Sequence, residues 1–573
     1  MAELESPSGI LPPIPDDLTL VQFVLDYQHS SRPVRNHEYD VPWIIEDRTR
    51  EARGLEELRT RAFGLANGLN IRFNIKEDDV FLVFSPNHLD YLVAVWAIHR
   101  LGAVMSGANP SFTSDELRFS LLHDPLRILL NCRRNHIVLF DTADTPLTQG
   151  VFPTVRGLID QGLSAFPSFR ERRLSPGEGK TKVAFLNFSS GTTGMPKPIA
   201  IPHYAPIANI IQLAVHNRVN DDRIPWEDQR FRPGDVCSAG GSSSTASEVL
   251  RHIDGHPGIV LPLYHIYGMV FNAHYILFCG MTVVLTTGRF NFLDFLDTIV
   301  KYRITHLMLV PPQVVMFCKH PAVSQYDFGH VRYVTCGAAP LSREVMNRLM
   351  EVFPNASAGQ SYGSLLAFIP NISCGIHDSR DYGVVYCDYS FPGRHKSATP
   401  VEVAVSFYRP GELVVKTPSL SLGYAGNPEA TRETWFRTGD EVKMNKRGEV
   451  FVLDRLKYED SPVAPAELEG CVLGHPDVED TCVVGIPDEY SGELPVAFVV
   501  LRQEAGKRAQ DSSAAHEIKS SIAKHVSDHK AAYKRLARVE FVDSIPKNPS
   551  GKLLRRVLRD RARRLEPRGI AKL

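Results

Sequence analysis

Between about residues 40 and 350, short apolar runs alternate with amphipathic stretches, and this alternation constrains the fold more than any other feature of the chain. The pattern predicts strands at Asp79–Phe84, Lys182–Phe188, His306–Val310 and Val331–Thr335, with helices at Leu89–Leu101 and, after Pro340, at Leu341–Val352. Strands that are apolar throughout need cover on both faces, and intervening helices supply it. The expected class is therefore an α/β domain with mostly parallel sheets. The most apolar stretch, Ile259–Thr287, carries Pro262, His265, Gly268, His274 and Gly280, so it reads as buried core rather than a membrane span. Past residue 454 the texture changes: a short helix at Ala464–Gly474, strands at Thr481–Gly485 and Val496–Leu501, and a polar amphipathic helix at Ser513–Leu536. The expected organisation is a Pro-rich lead-in (1–37), a large domain (38–453), a hinge linker (454–462) and a small α+β C-terminal lid domain (463–573). Two stretches stand apart. Cys237–Ser247 is rich in Gly and Ser and reads as a flexible surface loop, and 364–408 shows only strand-like fragments at Gly383–Cys387 and Val401–Val405.

Charge narrows the function classes. Lys plus Arg number 64 against 65 Asp plus Glu, so bulk charge does not drive this chain onto nucleic acid or an acidic membrane. The nine cysteines include no Cys-x-x-Cys pair, which argues against a zinc site or a disulfide framework and for a reducing intracellular compartment. The first residues lack a basic start followed by an apolar run, so no secretory signal is expected.

The densest chemistry lies in Phe188-Ser189-Ser190-Gly191-Thr192-Thr193-Gly194-Met195-Pro196-Lys197, directly after an apolar strand. Small and hydroxyl residues let successive backbone N–H groups curl around an anion. The hydroxyls add donors or a Mg²⁺ ligand, and Lys197 adds a point charge, a set suited to a triphosphate. The Gly-x-x-x-x-Gly-Lys-Ser/Thr pattern of P-loops is absent.

This segment resembles the phosphate-binding core of the adenylate-forming superfamily: acyl- and aryl-CoA ligases, luciferases and peptide-synthetase adenylation domains. Further blocks follow in the family's order and cover nearly the whole chain. Leu261-Pro-Leu-Tyr-His-Ile-Tyr-Gly268 resembles the block placing a histidine (His265) and aromatics (Tyr264, Tyr267) beside the acyl site. Cys336-Gly337-Ala338-Ala339-Pro340 resembles the adenine-contacting turn, and Gln360, Tyr362 and Gly363 belong to the next nucleotide block. Gly411-Glu-Leu-Val-Val, Gly423-Tyr424 and Trp435-Phe-Arg-Thr-Gly-Asp440 come next, then Asp454-Arg455-Leu-Lys457 and Pro546-Lys-Asn-Pro-Ser-Gly-Lys552. The resemblance implies a two-step reaction, in which a carboxylic acid and ATP give acyl-AMP and pyrophosphate, and CoA then displaces AMP. It implies that Asp440 holds the ribose, Arg455 lies near ribose and phosphate, and Lys457 is the hinge. Thr192 would be a ligand of Mg²⁺, and Lys552 would offset charge in the adenylation transition state. The overall texture is closest to 4-coumarate-CoA-ligase-like enzymes of a fungal-looking branch. Tyr264, Tyr267, Gly337 and the Val310-Pro311 neighbourhood would line the acyl pocket, for an aryl acid of cinnamate or benzoate type or a medium-chain fatty acid. Two other readings stay open, a non-catalytic adenylate-binding relative and a luciferase-like oxygenase.

The chain departs from the family in three places. Where the family has a threonine and a Mg²⁺-holding glutamate, this chain has Leu365 and Leu366. The linker runs from Lys457 straight into Tyr458-Glu-Asp-Ser-Pro462, shorter than the family's and without its Lys-Gly pair. The Gly/Ser-rich residues 237–258 interrupt an expected strand. At the other end, Ala571-Lys572-Leu573 is close to the Ser-Lys-Leu signal read by the peroxisomal import receptor. A peroxisomal location is expected, with the cytoplasm as the alternative.

Overall fold

The computed structural model describes residues 11–33, 42–110, 112, 114, 117, 137–140, 152–189, 197–221, 223–225, 228–242, 262–337, 343–361, 385–386, 402–404, 411–425, 436–444, 449–455, 465–488, 492–530, 534–546 and 555–564. Within them the strands gather into four sheets. The largest has the order Ser357–Gln360, Tyr333–Cys336, His306–Leu309, Val236–Ser242, Thr282–Arg289, Ile44–Glu46, Ala52–Arg53. Every neighbouring pair is parallel except the last. A second sheet runs Gly423–Tyr424, Lys197–Pro202, Val183–Ser189, Val104–Ala108, Val80–Phe84, parallel at the far end and antiparallel in the first three strands.

Strand alternation explains how these sheets are covered. In the seven-stranded sheet Val283 and Leu285 face one hydrophobic cluster while Val284 faces another, and Met308 lies opposite to Leu307 and Leu309. One face packs on helices Phe292–Lys301, Pro311–Lys319 and Arg343–Val352. The other shares a single core with Val83, Met105, Phe185, Ile199 and Ile201 of the second sheet. Helices Tyr91–Arg100, Tyr204–His216 and Tyr267–Tyr275 contribute to that shared core. Tyr91–Arg100 is apolar around most of its circumference, and all ten of its residues are buried, as such a helix requires. Trp96 Nε1 donates to His274 Nε2 at 3.1 Å, tying two of these helices together.

Two expectations change. Cys237–Ser242, read as the start of a surface loop, lies in strand Val236–Ser242, between Thr282–Arg289 and His306–Leu309, with Cys237 fully buried. Parallel neighbours on both sides impose the extended conformation that glycine and serine do not themselves prefer. Residues 243–261 lie outside the described residues. The amphipathic helix of the C-terminal region spans Ser512–His529 and stops seven residues short of Leu536, because Lys530 turns extended (φ −133°, ψ 150°). The strand-like fragments of 364–408 are short edges, Val385–Tyr386 and Glu402–Ala404, of a wholly antiparallel sheet completed by Gly411–Lys416, Phe436–Met444 and Glu449–Arg455. The C-terminal region holds a fourth sheet, Val478–Asp488, Gly492–Leu501 and Arg538–Phe541, packed on helices Pro465–Leu473 and Ser512–His529. No helix among the described residues is long and apolar enough to cross a membrane.

Candidate functional site

Parallel strands deliver their following loops to one end of the sheet, and ligands of α/β folds bind in the crevice outside those carboxyl ends. Here the ends of His306–Leu309, Tyr333–Cys336 and Ser357–Gln360 lie side by side, with Cys336 in register with both Leu309 and Gln360. Gly337 follows directly, its N–H donating to Leu309 O at 3.0 Å. Ser361 follows Gln360, donates its N–H to Cys336 O at 2.7 Å, and shares a hydroxyl hydrogen bond of 2.7 Å with Thr335.

Residues 262–268 dock on this crevice. Tyr267 begins a buried π-wound helix, and its Oη lies 3.5 Å from Ser361 Oγ. A Cβ on Gly337 would stand 2.8 Å from the Tyr267 ring, closer than real side chains approach, so Gly337 can only be glycine with Tyr267 in place. Desolvation pushes the Tyr267 hydroxyl well above its ordinary pKa, so it stays a neutral donor. Tyr264 touches the second sheet, its carbonyl oxygen 2.8 Å from where Gly107 would carry a Cβ. Asn87, buried in the loop after Val80–Phe84, accepts the Leu263 N–H at 2.9 Å. This block therefore bridges the two sheets. His265 is exposed, not a core histidine. Its Nδ1 accepts the Tyr267 N–H at 3.2 Å, leaving Nε2 to carry the proton of the neutral ring. Desolvation by the surrounding protein lowers its pKa. Val310 caps helix Pro311–Lys319 beside Gly337, its N–H donating to Gln313 Oε1 at 3.1 Å. The Cys336 thiol is buried and pushed far up by desolvation, so it is not a nucleophile.

The phosphate-loop candidates lie on the second sheet. Ser189 ends one strand and Lys197 starts the next, and the two are register partners in an antiparallel hairpin. The loop between them, Ser190, Gly191, Thr192, Thr193 and Gly194 included, lies outside the described residues. Gly423–Tyr424, a separate block in sequence, pairs with Lys197–Pro202, Gly423 facing Ala200 and Tyr424 facing Ile199. In the antiparallel sheet Asp440 and Arg455 are direct register partners, so the backbone brings together the two residues read as ribose contacts. Ala338, Ala339, Tyr362, Gly363, the hinge Lys457 and the catalytic candidate Lys552 lie outside the described residues. Sequence reading missed Thr335, Ser361 and Asn87. Ser361 sits within a block already singled out, and Asn87 in a Ser-Pro-Asn turn carries no chemical signal until Leu263 is placed against it.

Thr192 and Leu366, the two positions the resemblance ties to Mg²⁺, lie outside the described residues. The leucine at 366 carries no oxygen that could meet a hard cation.

Comparison with known proteins matches residues 37–425 to the model described as AMP-binding enzyme, and residues 467–552 to that described as AMP-binding enzyme C-terminal domain. The chain is 29% identical to 4-coumarate-CoA ligase 1 of Narcissus pseudonarcissus, over 96% of this chain and 94% of the relative. It is 30% identical to 4-coumarate–CoA ligase 1 of Petroselinum crispum, over 91% of both. Among solved structures it resembles an amide bond synthetase from Marinactinospora thermotolerans (TM-score 0.68, 21% identity, 95% of this chain and 99% of the other). The o-succinylbenzoate CoA synthetase of Bacillus subtilis gives a TM-score of 0.66 at 21% identity, covering 91% of this chain and 95% of that one.

Proposed function

The chain belongs to the AMP-binding enzyme family, and from that premise we propose that it is an AMP-forming acid–thiol ligase acting on an aryl carboxylic acid of hydroxycinnamate type. An acid carboxylate oxygen attacks the α-phosphorus of ATP, forming the acyl–phosphate bond and breaking the bond to pyrophosphate. The CoA thiolate then attacks the acyl carbon and AMP leaves with the electron pair. The crevice between Tyr267, Gly337 and Tyr264 holds the acid, and an aromatic wall suits a planar ring. The Ser189–Lys197 hairpin cradles the triphosphate. Asp440 and Arg455 hold the ribose, Lys552 stabilises charge as the α-phosphorus is attacked, and the small domain turns about Lys457 between the two steps. His265, neutral and at the cleft wall, orients the carboxylate through its Nε2–H. Domain limits of 38–453 and 463–573 accord with this division of labour.

The observation that carries the reading is the convergence of Tyr267, Gly337 and Ser361, one residue from each of three sequence blocks, at the strand ends. The test is pyrophosphate release with ATP and hydroxycinnamic, benzoic or medium-chain acids, followed by thioester formation on adding CoA. Thioester formed fastest from a hydroxycinnamate is expected. Pyrophosphate without thioester would leave only the first step, and light or oxygen consumption would favour an oxygenase. The Ala571–Leu573 tail supports a peroxisomal site of action, and a place in specialised rather than primary metabolism fits that location. An N-terminal fluorescent fusion should be punctate and should disperse on removal of those three residues. A diffuse full-length fusion would refute the targeting.

A further inference from the structure

Eleven large apolar side chains are exposed among the described residues, and four of them, Phe63, Ile71, Leu163 and Phe166, gather on one helix pair. The helices are Leu55–Phe73 and Val155–Ser164, with Leu163 lying over Gly64. The loop after the second helix is pinned to the first. Asn67 Nδ2 donates to Gly162 O at 2.8 Å and Phe166 O at 3.2 Å, while its Oδ1 accepts the Ser168 N–H at 2.7 Å. Asn70 Nδ2 donates to Ser168 O at 2.9 Å. Phe169 packs on Phe63 with ring centroids 5.4 Å apart. Phe166, on this fixed backbone, is nonetheless 95% exposed. A well-held loop that presents a phenyl ring to water forgoes the stabilisation its burial would bring, which marks a contact surface rather than a fraying end.

Exposed arginines outnumber the unpaired acids around the patch. Arg72 adjoins Ile71, Arg170 adjoins Phe169, Arg173 lies further along the same segment, and Arg156 is one helical face-repeat before Leu163. All four are exposed, and none carries an ion pair among the described residues. The neighbouring acids Glu171 and Glu77 are already engaged, by Arg100 and by Arg172 and Lys182 respectively, which leaves Asp160 as the exposed acid of the second helix. The near-neutral total charge of the chain hides this local excess.

We propose that this face docks on an anionic lipid surface, with Phe166 and Leu163 entering the headgroup boundary and Arg72, Arg156, Arg170 and Arg173 meeting lipid phosphates. Exposed aromatic and aliphatic side chains rimmed by arginine are what interfacial binding requires. A two-fold copy of this chain is the poorer occupant, because an isologous contact would bring the arginine rim against itself. The inference does not depend on the ligase reading.

The test is co-sedimentation of the full chain with vesicles of phosphatidylcholine alone and with about one-third phosphatidylserine. Binding to the mixed vesicles that weakens with salt is expected. Phe166→Ser should weaken it at least about tenfold, and Arg156→Glu with Arg170→Glu by roughly 30-fold. Both variants should keep the wild-type melting temperature and ligase rate in free solution. Equal binding to both vesicle types, or none to either, would overturn the proposal. So would self-association that Phe166→Ser abolishes without any vesicle binding, which would assign the face to a second copy.

Discussion

The two sheets that meet at the candidate site hold their functional residues by different means. At the ends of the seven-stranded sheet, side chains lock one another: Tyr267 fills the space beside Gly337, and Ser361 bonds Thr335. At the candidate phosphate hairpin of the second sheet, the described residues give only backbone register, with Ser189 opposite Lys197. A locked wall suits selection of a rigid substrate, because misfit cannot be relaxed cheaply. A loop held at its ends can close its N–H groups around a charged group that changes shape as it reacts. On the proposed assignments, selectivity falls to one side and rate to the other.

The strongest way to break that division is Lys552→Ala. A charge aimed at the transition state should cost about 3 kcal/mol or more, so acyl-AMP formation should fall at least about 100-fold with the fold intact. Unchanged pyrophosphate release would end the assignment.

Both sides share one vulnerability, buried neutral histidines. His274 donates Nδ1–H to Met269 O at 2.7 Å and accepts at Nε2 from Trp96, so a second ring proton would point at an N–H. His306 is likewise enclosed, its Nε2 2.7 Å from Arg230 O, and His99 Nε2 lies 3.1 Å from Ala184 O on the second sheet. Burial lowers His274 and His306 to about 4 and His99 to about 3. The unfolded chain, with ordinary histidines, takes up these protons first. Stability should therefore be full above about pH 6.5 and fall as pH drops toward 4, by about 1.4 kcal/mol per pH unit for each histidine. Thermal unfolding at pH 7, 6 and 5 reads this directly. His274→Gln, weaker at pH 7, should show a shallower decline, and an identical slope would remove His274 from the account.

Gly337→Ala tests the locked wall. Its Cβ must displace the Tyr267 ring, so kcat/KM for the acid should drop about tenfold, with a smaller rise in the KM for ATP because the same turn is read as the adenine contact. An unchanged kcat/KM for the acid would remove Gly337 from the acyl wall. The smallest effect is expected from Leu366→Glu, which supplies an oxygen donor where the family has one. It should lower the Mg²⁺ concentration needed for half-maximal pyrophosphate release by a few-fold. Full wild-type activity at sub-millimolar Mg²⁺ would mean that another group already serves.

The amino-acid sequence alone determined the α/β alternation, the order of the nucleotide-binding blocks and the change of texture into the C-terminal region. Each rests on local periodicity or on a contiguous run of residues, which a chain carries whether folded or not. The tertiary structure decided what no local pattern encodes. Cys237–Ser242 is extended because parallel strands flank it, not because Gly and Ser favour strands. Gly337 must lack a side chain because Tyr267, seventy residues earlier in the chain, occupies the space. Asn87 belongs to the site through one hydrogen bond to Leu263, across 176 positions. The antiparallel sheet of residues 385–455 escaped periodicity because its outer strands are two and three residues long, too short to show an alternation. Strand pairing and close approach are set by packing between distant segments, and so they become definite only once the chain has folded.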